Sequence, residues 1–533
     1  MSCAQRGSGD PMSFRLTYTT MFDPPPELHT RFDAALGRVL GTLGKRHPLY
    51  VAGEDRHSGR TVLTRNPADQ DQVLGEFAAA GEREVEDAMQ AAHRAGLAWR
   101  QTAPERRTEL LRRVGRLIEE RVFDIAAALT LEVGKNRMEA LGEAQETADF
   151  FELYCDEFER CSAFDRALPN DPLAGAVARN RSVMKPYGVW VVINPFNFPF
   201  ALAGGPVAAA LVTGNTVVLK SASVTPWAGR LLADCLRDAG LPPGVFNYLN
   251  GASSEIGAAL IEHPLTAGVT FTGSYESGMQ ILRTLNSGAY PRPCIAEMGG
   301  KNACIVTARA DLERAASGIV RSAFGMGGQK CSALSRLYVQ REVADALLER
   351  LVQQSAALAI GNPAKRENWL GPVATRAAYD HYARYARELA APAARPLTAS
   401  GPLGSGDLAR GFFVRPLIAE APLEHALWRT EMFLPILMVH RVASKEEAMQ
   451  LANESALGLT AGFYGASEEV PWFQEHIEAG VTYANRPQGA TTGAWPGYQP
   501  FGGWKGSGST GKGIASFYYL PQYLREQSQT VVD

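Results

Sequence analysis

The chain lacks most of what would send a protein to a membrane, a nucleic acid or an oxidising compartment. Its most apolar long run, residues 199–212, is about 14 residues and broken by glycine, too short to span a bilayer. Its first residues, MSCAQRGSGDPMSF, have neither the charged start nor the apolar stretch of a signal peptide. A formal net charge of only −3 over 533 residues gives no electrostatic case for nucleic acid or an anionic membrane. Histidine is scarce, at nine, and the seven cysteines are scattered, odd in number and without a close CxxC pair. That excludes a disulfide framework and a structural zinc, and it points to a reducing compartment. The expectation is a soluble cytoplasmic protein with no metal, no membrane partner and no nucleic-acid partner.

What is present is ample apolar content, 46% against 20% charged, over a length suited to about two to four domains. Residues 1–30 are polar and proline-rich around Pro24, Pro25 and Pro26, which predicts an irregular arm. Helical periodicity follows at 83–100, where Val85, Met89, Ala92, Leu97 and Trp99 share a face, then at 104–121 and 137–159. From Val183 onward the pattern becomes short apolar runs alternating with helices: VWVVIN, TVVLK, VFNYLN, VTFTG and CIAEMGG. That alternation predicts an α/β fold with a parallel sheet. Thr225 as cap, Pro226 at the first helical position and Gly240 beyond the end delimit a helix whose apolar stripe includes Cys235. A second α/β segment begins near Lys301, with a helix over 311–324 and a strand at SRLYVQ.

Within this second segment the string FGMGGQKCSALSR places Cys331 after three glycines and before Ser332. Glycine lets the backbone approach a bound molecule closely. The cysteine is then either a nucleophile or, like most free cysteines, a small buried hydrophobe. The strand ending at Gly273 runs through GSYESG into a helical pattern, which is either an anion site at a helix N-terminus or a plain turn. Lys220 ends TVVLK, where ligands bind in open α/β sheets. Glu297 ends another strand beside two glycines, where a partly desolvated carboxylate could act as a base on water. Asn197, in INPFNFPF, carries one of two amides among prolines and phenylalanines, and an amide there can donate to an oxyanion.

The strings PFNFPFAL, GNTVVLK, FTGS, EMGGKN, GQKCSA, EMFLP and QPFGGWKGSG occur in this order. By them the chain resembles the aldehyde dehydrogenase superfamily from about residue 35 onward. The resemblance implies a Rossmann-type parallel-sheet cofactor domain, an α/β catalytic domain and a small oligomerisation β-element. It makes Cys331 the nucleophile, with an oxyanion held by Asn197 and the Cys331 backbone N–H, and Glu297 the activator of hydrolytic water. It assigns the cofactor NAD to Ile193, Pro195, Phe196, Lys220, Ser223, Gly251, Gly273, Ser274, Glu431 and Phe433. Ser223 stands where NAD-preferring relatives carry an acidic residue, and a serine does not repel a 2′-phosphate, so NADP is also compatible.

Ser332 directly after the nucleophile and the string TGAWPGYQPFGG match the branch that oxidises L-glutamate γ-semialdehyde, from Δ1-pyrroline-5-carboxylate, in proline metabolism. In that branch Thr492, Gly493 and Ala494 anchor the α-carboxylate, assisted by Ser332, while Phe501 covers the aliphatic stem and Glu146 meets the ammonium; Lys330 is also expected to bind the substrate. The implied domains are 31–164 with 189–298 for the dinucleotide, 299–485 for catalysis, 486–506 for the substrate-anchor loop and return segment, and 165–188 with 507–533 for oligomerisation. An exposed edge strand of that kind is usually covered by a partner chain, so a homodimer or higher homo-oligomer is expected. After Lys505 the sequence departs from the branch pattern. An aldehyde dehydrogenase for another semialdehyde, and a non-catalytic binding protein with this fold, are the alternatives.

Overall fold

The computed structural model describes residues 24–172 and 175–532. Two seven-stranded sheets organise it. In the first, Val189–Ile193, Thr216–Lys220 and Phe246–Leu249 are buried at every residue, as befits parallel strands covered on both faces. Successive residues enter opposite cores: Trp190 and Val192 go to one, Val191 and Ile193 to the other. The spatial order is Cys294–Glu297, Thr266–Thr272, Val189–Ile193, Thr216–Lys220, Phe246–Leu249, then the antiparallel pair Leu49–Val51 and Glu54–Arg56. Strand addition thus reverses at Val189–Ile193, and the crevice beyond the carboxyl ends at such a reversal is where open α/β sheets bind ligands. There the register aligns Ile193 with both Lys220 and Phe271, and Thr272 with Glu297.

The second sheet runs Arg395–Pro396, Leu417–Glu420, Ile436–Val442, Leu334–Gln340, Asn302–Val306, Thr460–Tyr464, Val481–Ala484, parallel except at its first strand. A third, antiparallel sheet joins Asp165–Asp171, Ala178–Pro186 and Leu524–Val532, and Asp165–Asp171 is exposed at every residue. Only the last strand of 507–533 belongs to it. Residues 507–523 lie instead against the first sheet and the helix Arg137–Arg160: Met298 N donates to Ser507 O at 2.8 Å, and Ala515 N donates to the Tyr154 hydroxyl at 3.1 Å. No helix of the described residues is long and apolar enough to cross a membrane.

Two expectations change. Residues 1–23 of the expected arm lie outside the described residues, but Pro26–Leu40 is a helix. Pro26 at the first helical position loses no hydrogen bond, and Leu28, Phe32, Ala35 and Val39 bury one face. The helix Pro226–Asp238 does start after Thr225, yet that side chain makes no capping bond. The Glu132 carboxylate does so instead, accepting from Trp227 N at 2.6 Å and Ala228 N at 3.0 Å. Glu132 itself sits in Val122–Val133, a helix buried on nearly every side and therefore without the amphipathic period that would mark it. A small sheet of Lys45–His47, Asp69–Ala78 and Thr61–Asn66 also escapes pattern reading, since DQDQ opens its longest strand.

Candidate active site

The helix Leu312–Phe324 buries Ala315, Ile319, Ala323 and Phe324 and ends in a short 3-10 turn, Gly325–Gly328. Met326, Gly327 and Gly328 there have φ of 54°, 65° and 67°. A Cβ on Gly328 would stand 2.2 Å from Leu434 O, so only glycine lets this turn close against the entry to the strand Ile436–Val442. Cys331 follows, half-buried, on a loop held by one amide. Asn302 Nδ2 donates to Cys331 O at 2.7 Å and Ala333 O at 2.9 Å, while its Oδ1 accepts from Thr460 N at 3.0 Å. Burial pushes the Cys331 thiol up to about 12, and the Glu431 and Glu297 carboxylates add to this. The backbone N–H groups of Ser332 and Cys331 favour the thiolate and pull the other way.

Asn197 is buried, and its Nδ2 donates to Gln329 O at 2.9 Å, two residues before Cys331. Its position is fixed from behind. Glu143 Oε1 accepts from Phe200 N at 2.8 Å and Ala201 N at 3.2 Å, and Lys135 Nζ meets the other oxygen at 2.6 Å and lies 3.5 Å from the Phe198 ring centroid. Glu297 ends its strand in a glycine-lined recess; a Cβ on Gly502 would stand 3.6 Å from its Oε1. Burial pushes its carboxyl up to about 8, offset in part by a backbone hydrogen bond from Gly503. Among the described residues its buried Oε2 has no hydrogen-bond partner, which leaves it for a water or substrate proton.

One cavity brings Cys331 together with Lys330, Ser332, Glu146, Phe501 and the loop Thr492, Gly493, Ala494. Glu146 has no hydrogen-bond partner among the described residues, and burial, reinforced by Glu143, pushes its carboxyl up to about 8. Lys330 is engaged by Glu139 at 3.1 Å. The wall also includes residues the sequence reading did not single out: Phe198, Arg321, Trp369, Trp495, Ile514 and Ala515. A signal for part of the wall was available, since Glu139, Gly142, Glu143 and Glu146 recur at helical spacing and form one face of Arg137–Arg160. Ile514 and Ala515 come from the divergent stretch after Lys505. Beyond them Tyr523 donates to the Tyr519 hydroxyl at 3.0 Å, both wholly buried.

The expected cofactor residues gather at the carboxyl ends of the first sheet, at the reversal point. Lys220 is buried, donates to Ser253 Oγ at 2.8 Å, and is lowered by desolvation to about 8. Gly251 lies between the strand Phe246–Leu249 and the helix that opens at Ser253, and half-buried Ser223 follows Thr216–Lys220. Gly273 precedes Ser274, the cap of the helix Tyr275–Asn286, whose side chain accepts from Ser277 N. Pro195 O accepts from Asn194 Nδ2 at 3.1 Å, and the Phe196 and Phe433 rings meet edge-on at 5.8 Å. Glu431 accepts from Gly300 N at 2.9 Å, and burial pushes it up to about 7. A strand-end cation, a helix N-terminus and a carboxylate fit the phosphates and ribose of a dinucleotide. No group of three or more His, Cys, Asp or Glu among the described residues could hold a metal ion.

A half-buried thiol after a glycine turn, with an amide, a carboxylate and a dinucleotide-type crevice near it, is the set of groups that aldehyde oxidation uses. The sequence pattern of the aldehyde dehydrogenase family matches residues 54–528, and the chain belongs to that family. It is similar to a 1-pyrroline-5-carboxylate dehydrogenase of Geobacillus thermodenitrificans, 37% identical over 506 residues that cover 94% of this chain and 95% of that one. The crystal structure of a 1-pyrroline-5-carboxylate dehydrogenase from Thermus with bound NAD is 33% identical, covers 100% of both chains and superposes with a TM-score of 0.89. Proline utilization A from Bdellovibrio bacteriovorus is 32% identical with a TM-score of 0.88, over 94% of this chain but 51% of that longer protein.

Proposed function

We propose that the protein oxidises L-glutamate γ-semialdehyde, the open form of Δ1-pyrroline-5-carboxylate, to L-glutamate with NAD, as a step of proline catabolism. The observation that carries this reading is the shared cavity. The Cys331 thiol, the partnerless Glu146 carboxylate and the loop Thr492, Gly493, Ala494 line one space, so an aldehyde, an ammonium and a carboxylate on one small molecule each meet a complementary group.

Cys331 adds to the aldehyde carbon as a thiolate, which the backbone N–H groups of Cys331 and Ser332 favour. The oxyanion that forms is held by the Asn197 amide and the Cys331 N–H. Bound NAD would supply the hydride acceptor, and loss of hydride from the thiohemiacetal carbon would leave a thioester on Cys331. Glu297, with its raised carboxyl and unpartnered oxygen, takes a proton from water as the water attacks the thioester, and the carbon–sulfur bond then breaks to release the carboxylic acid product and the Cys331 thiolate. Lys220, Ser223, Gly251, Ser274 and Glu431 hold the dinucleotide, together with Ile193, Pro195, Phe196, Gly273 and Phe433. The half-buried serine at 223 leaves NADP compatible.

The assembly is at least a homodimer and works in the cytoplasm. Support comes from the sheet of Asp165–Asp171, Ala178–Pro186 and Leu524–Val532, since a ribbon so exposed is marginal by itself. Steady-state kinetics test the reaction, with pyrroline-5-carboxylate compared against succinate semialdehyde and an alkyl aldehyde, each with NAD and NADP. A higher kcat/KM for pyrroline-5-carboxylate is expected, and equal or better turnover of the others overturns the substrate. Sedimentation showing only monomer at micromolar concentration overturns the assembly.

A further inference from the structure

We propose that Arg486 is the positioning residue that turns the loop at 492–494 into a carboxylate receptor, and so sets the preference of the site for a carboxylate-bearing aldehyde. This rests on the reading of the cavity given above. The guanidinium lies behind the loop. Its Nη1 donates to Thr492 O and its Nη2 to Gly493 O, both at 3.1 Å. Each peptide unit is planar and trans, so its N–H points opposite to its C=O. Drawing the Thr492 carbonyl toward Arg486 therefore turns the Gly493 N–H away from it. Drawing the Gly493 carbonyl the same way turns the Ala494 N–H likewise. Between the two peptide units Gly493 has φ of +108°, a backbone conformation that glycine adopts without strain. All three loop residues line the cavity that holds Cys331, so the two N–H groups share the direction an anion needs.

The guanidinium also acts electrically. A cation on the carbonyl side polarises both peptide units and makes both N–H groups stronger donors. Because it binds the carbonyls from the rear, it does this without occupying the space the substrate needs. Its own backbone is held in place: Tyr464 donates its hydroxyl to Arg486 O at 2.6 Å, and the neighbouring Asn485 exchanges two hydrogen bonds with Gly465 at 3.0 and 3.1 Å. The guanidinium carbon further lies 4.8 Å from the Tyr483 ring centroid. A lysine at 486 would offer a point charge without the planar fork that reaches two carbonyls together.

The test uses the full-length enzyme with saturating NAD and two aldehydes, succinate semialdehyde, which has a carboxylate and no ammonium, and propanal, which has neither. In Arg486→Met the ratio of kcat/KM for succinate semialdehyde to that for propanal is expected to fall at least about tenfold, the scale of losing charge-assisted hydrogen bonds, and mainly through KM. Arg486→Lys is expected to give an intermediate ratio, and it serves as the measured variant if the methionine protein does not fold. An unchanged ratio overturns the proposal, whether both activities fall together or neither does. A wild type that turns over succinate semialdehyde better than pyrroline-5-carboxylate would sink the substrate reading, while the ratio would still decide the role of Arg486.

Discussion

The Thr491 hydroxyl donates to the carbonyl oxygen of Ser332 across 2.7 Å, so the loop proposed to receive the substrate carboxylate and the loop of the proposed nucleophile share a buried hydrogen bond. Ser322 strengthens the tie, since its Oγ accepts from Thr491 N at 3.0 Å and lies 3.2 Å from Thr492 Oγ1. Thr491→Val keeps the volume and removes the bond to Ser332. The expected outcome is a rise in KM for pyrroline-5-carboxylate of about fivefold, the equivalent of about 1 kcal/mol for one hydrogen bond, with kcat less affected. Initial-rate kinetics check it, and a KM equal to that of the wild type would show that the two loops hold their spacing without this bond.

The pH dependence follows from two acids that desolvation raises. Glu297 is raised to about 8, so below that pH it is a neutral acid and above it a base. Thioester hydrolysis, followed by single-turnover quench, is expected to speed up through an inflection near pH 8, and Glu297→Gln to remove that limb. Cys331 is raised to about 12 in the enzyme without cofactor. Its alkylation by iodoacetamide should then climb about tenfold per pH unit from 7 to 10 with no plateau. A plateau near pH 8 would mean that the free enzyme already holds a thiolate.

Coenzyme binding should carry its own titration. Lys220 is lowered to about 8 by burial, so it is charged below that pH and neutral above it. KM for NAD is expected to rise as pH passes 8, and in Lys220→Met to be high at every pH. Separately, Ser223→Asp would set a carboxylate against a 2′-phosphate, so kcat/KM with NADP should drop at least about tenfold while NAD is spared. Side-by-side coenzyme kinetics check both.

Glu132 offers a stability test away from the chemistry. Its carboxyl is raised to about 8, against about 4.3 when unfolded, so the folded state binds its proton more tightly. The stability from this group is fully present below about pH 4.3 and is lost as pH rises toward 8. Glu132→Gln should flatten that fall, and Glu132→Ala, which strips the cap from the helix Pro226–Asp238, should cost about 1–2 kcal/mol in denaturant titration. A variant with the wild-type slope of stability against pH would remove Glu132 as a source of it.

The strands of the first sheet were legible because Val189–Ile193 and Thr216–Lys220 are short apolar runs at regular spacing, and Cys331, Glu297 and Asn197 stood out as candidates because ordered motifs surround them. Other residues act through contacts that no local pattern encodes. Asn302 reaches Cys331 across 29 residues of sequence, Glu143 reaches Phe200 across 57, and Glu132 caps a helix 95 residues away. Arg486 sits within seven residues of its partners, yet its role depends on a backbone turn at Gly493 that composition alone does not reveal. The helix Val122–Val133 hid for the opposite reason: burial on all sides erased the period.

One short peptide does two jobs in succession. Ile514 and Ala515 shape the cavity wall, Tyr519 and Tyr523 sink into the core, and Leu524–Val532 then joins the exposed sheet. Selection on what the cavity admits and selection on how the edge sheet is seated therefore fall on the same run of about 20 residues. Neither trait can drift freely without dragging the other, which makes this tail a place where relatives with the same chemistry would be expected to differ in both together.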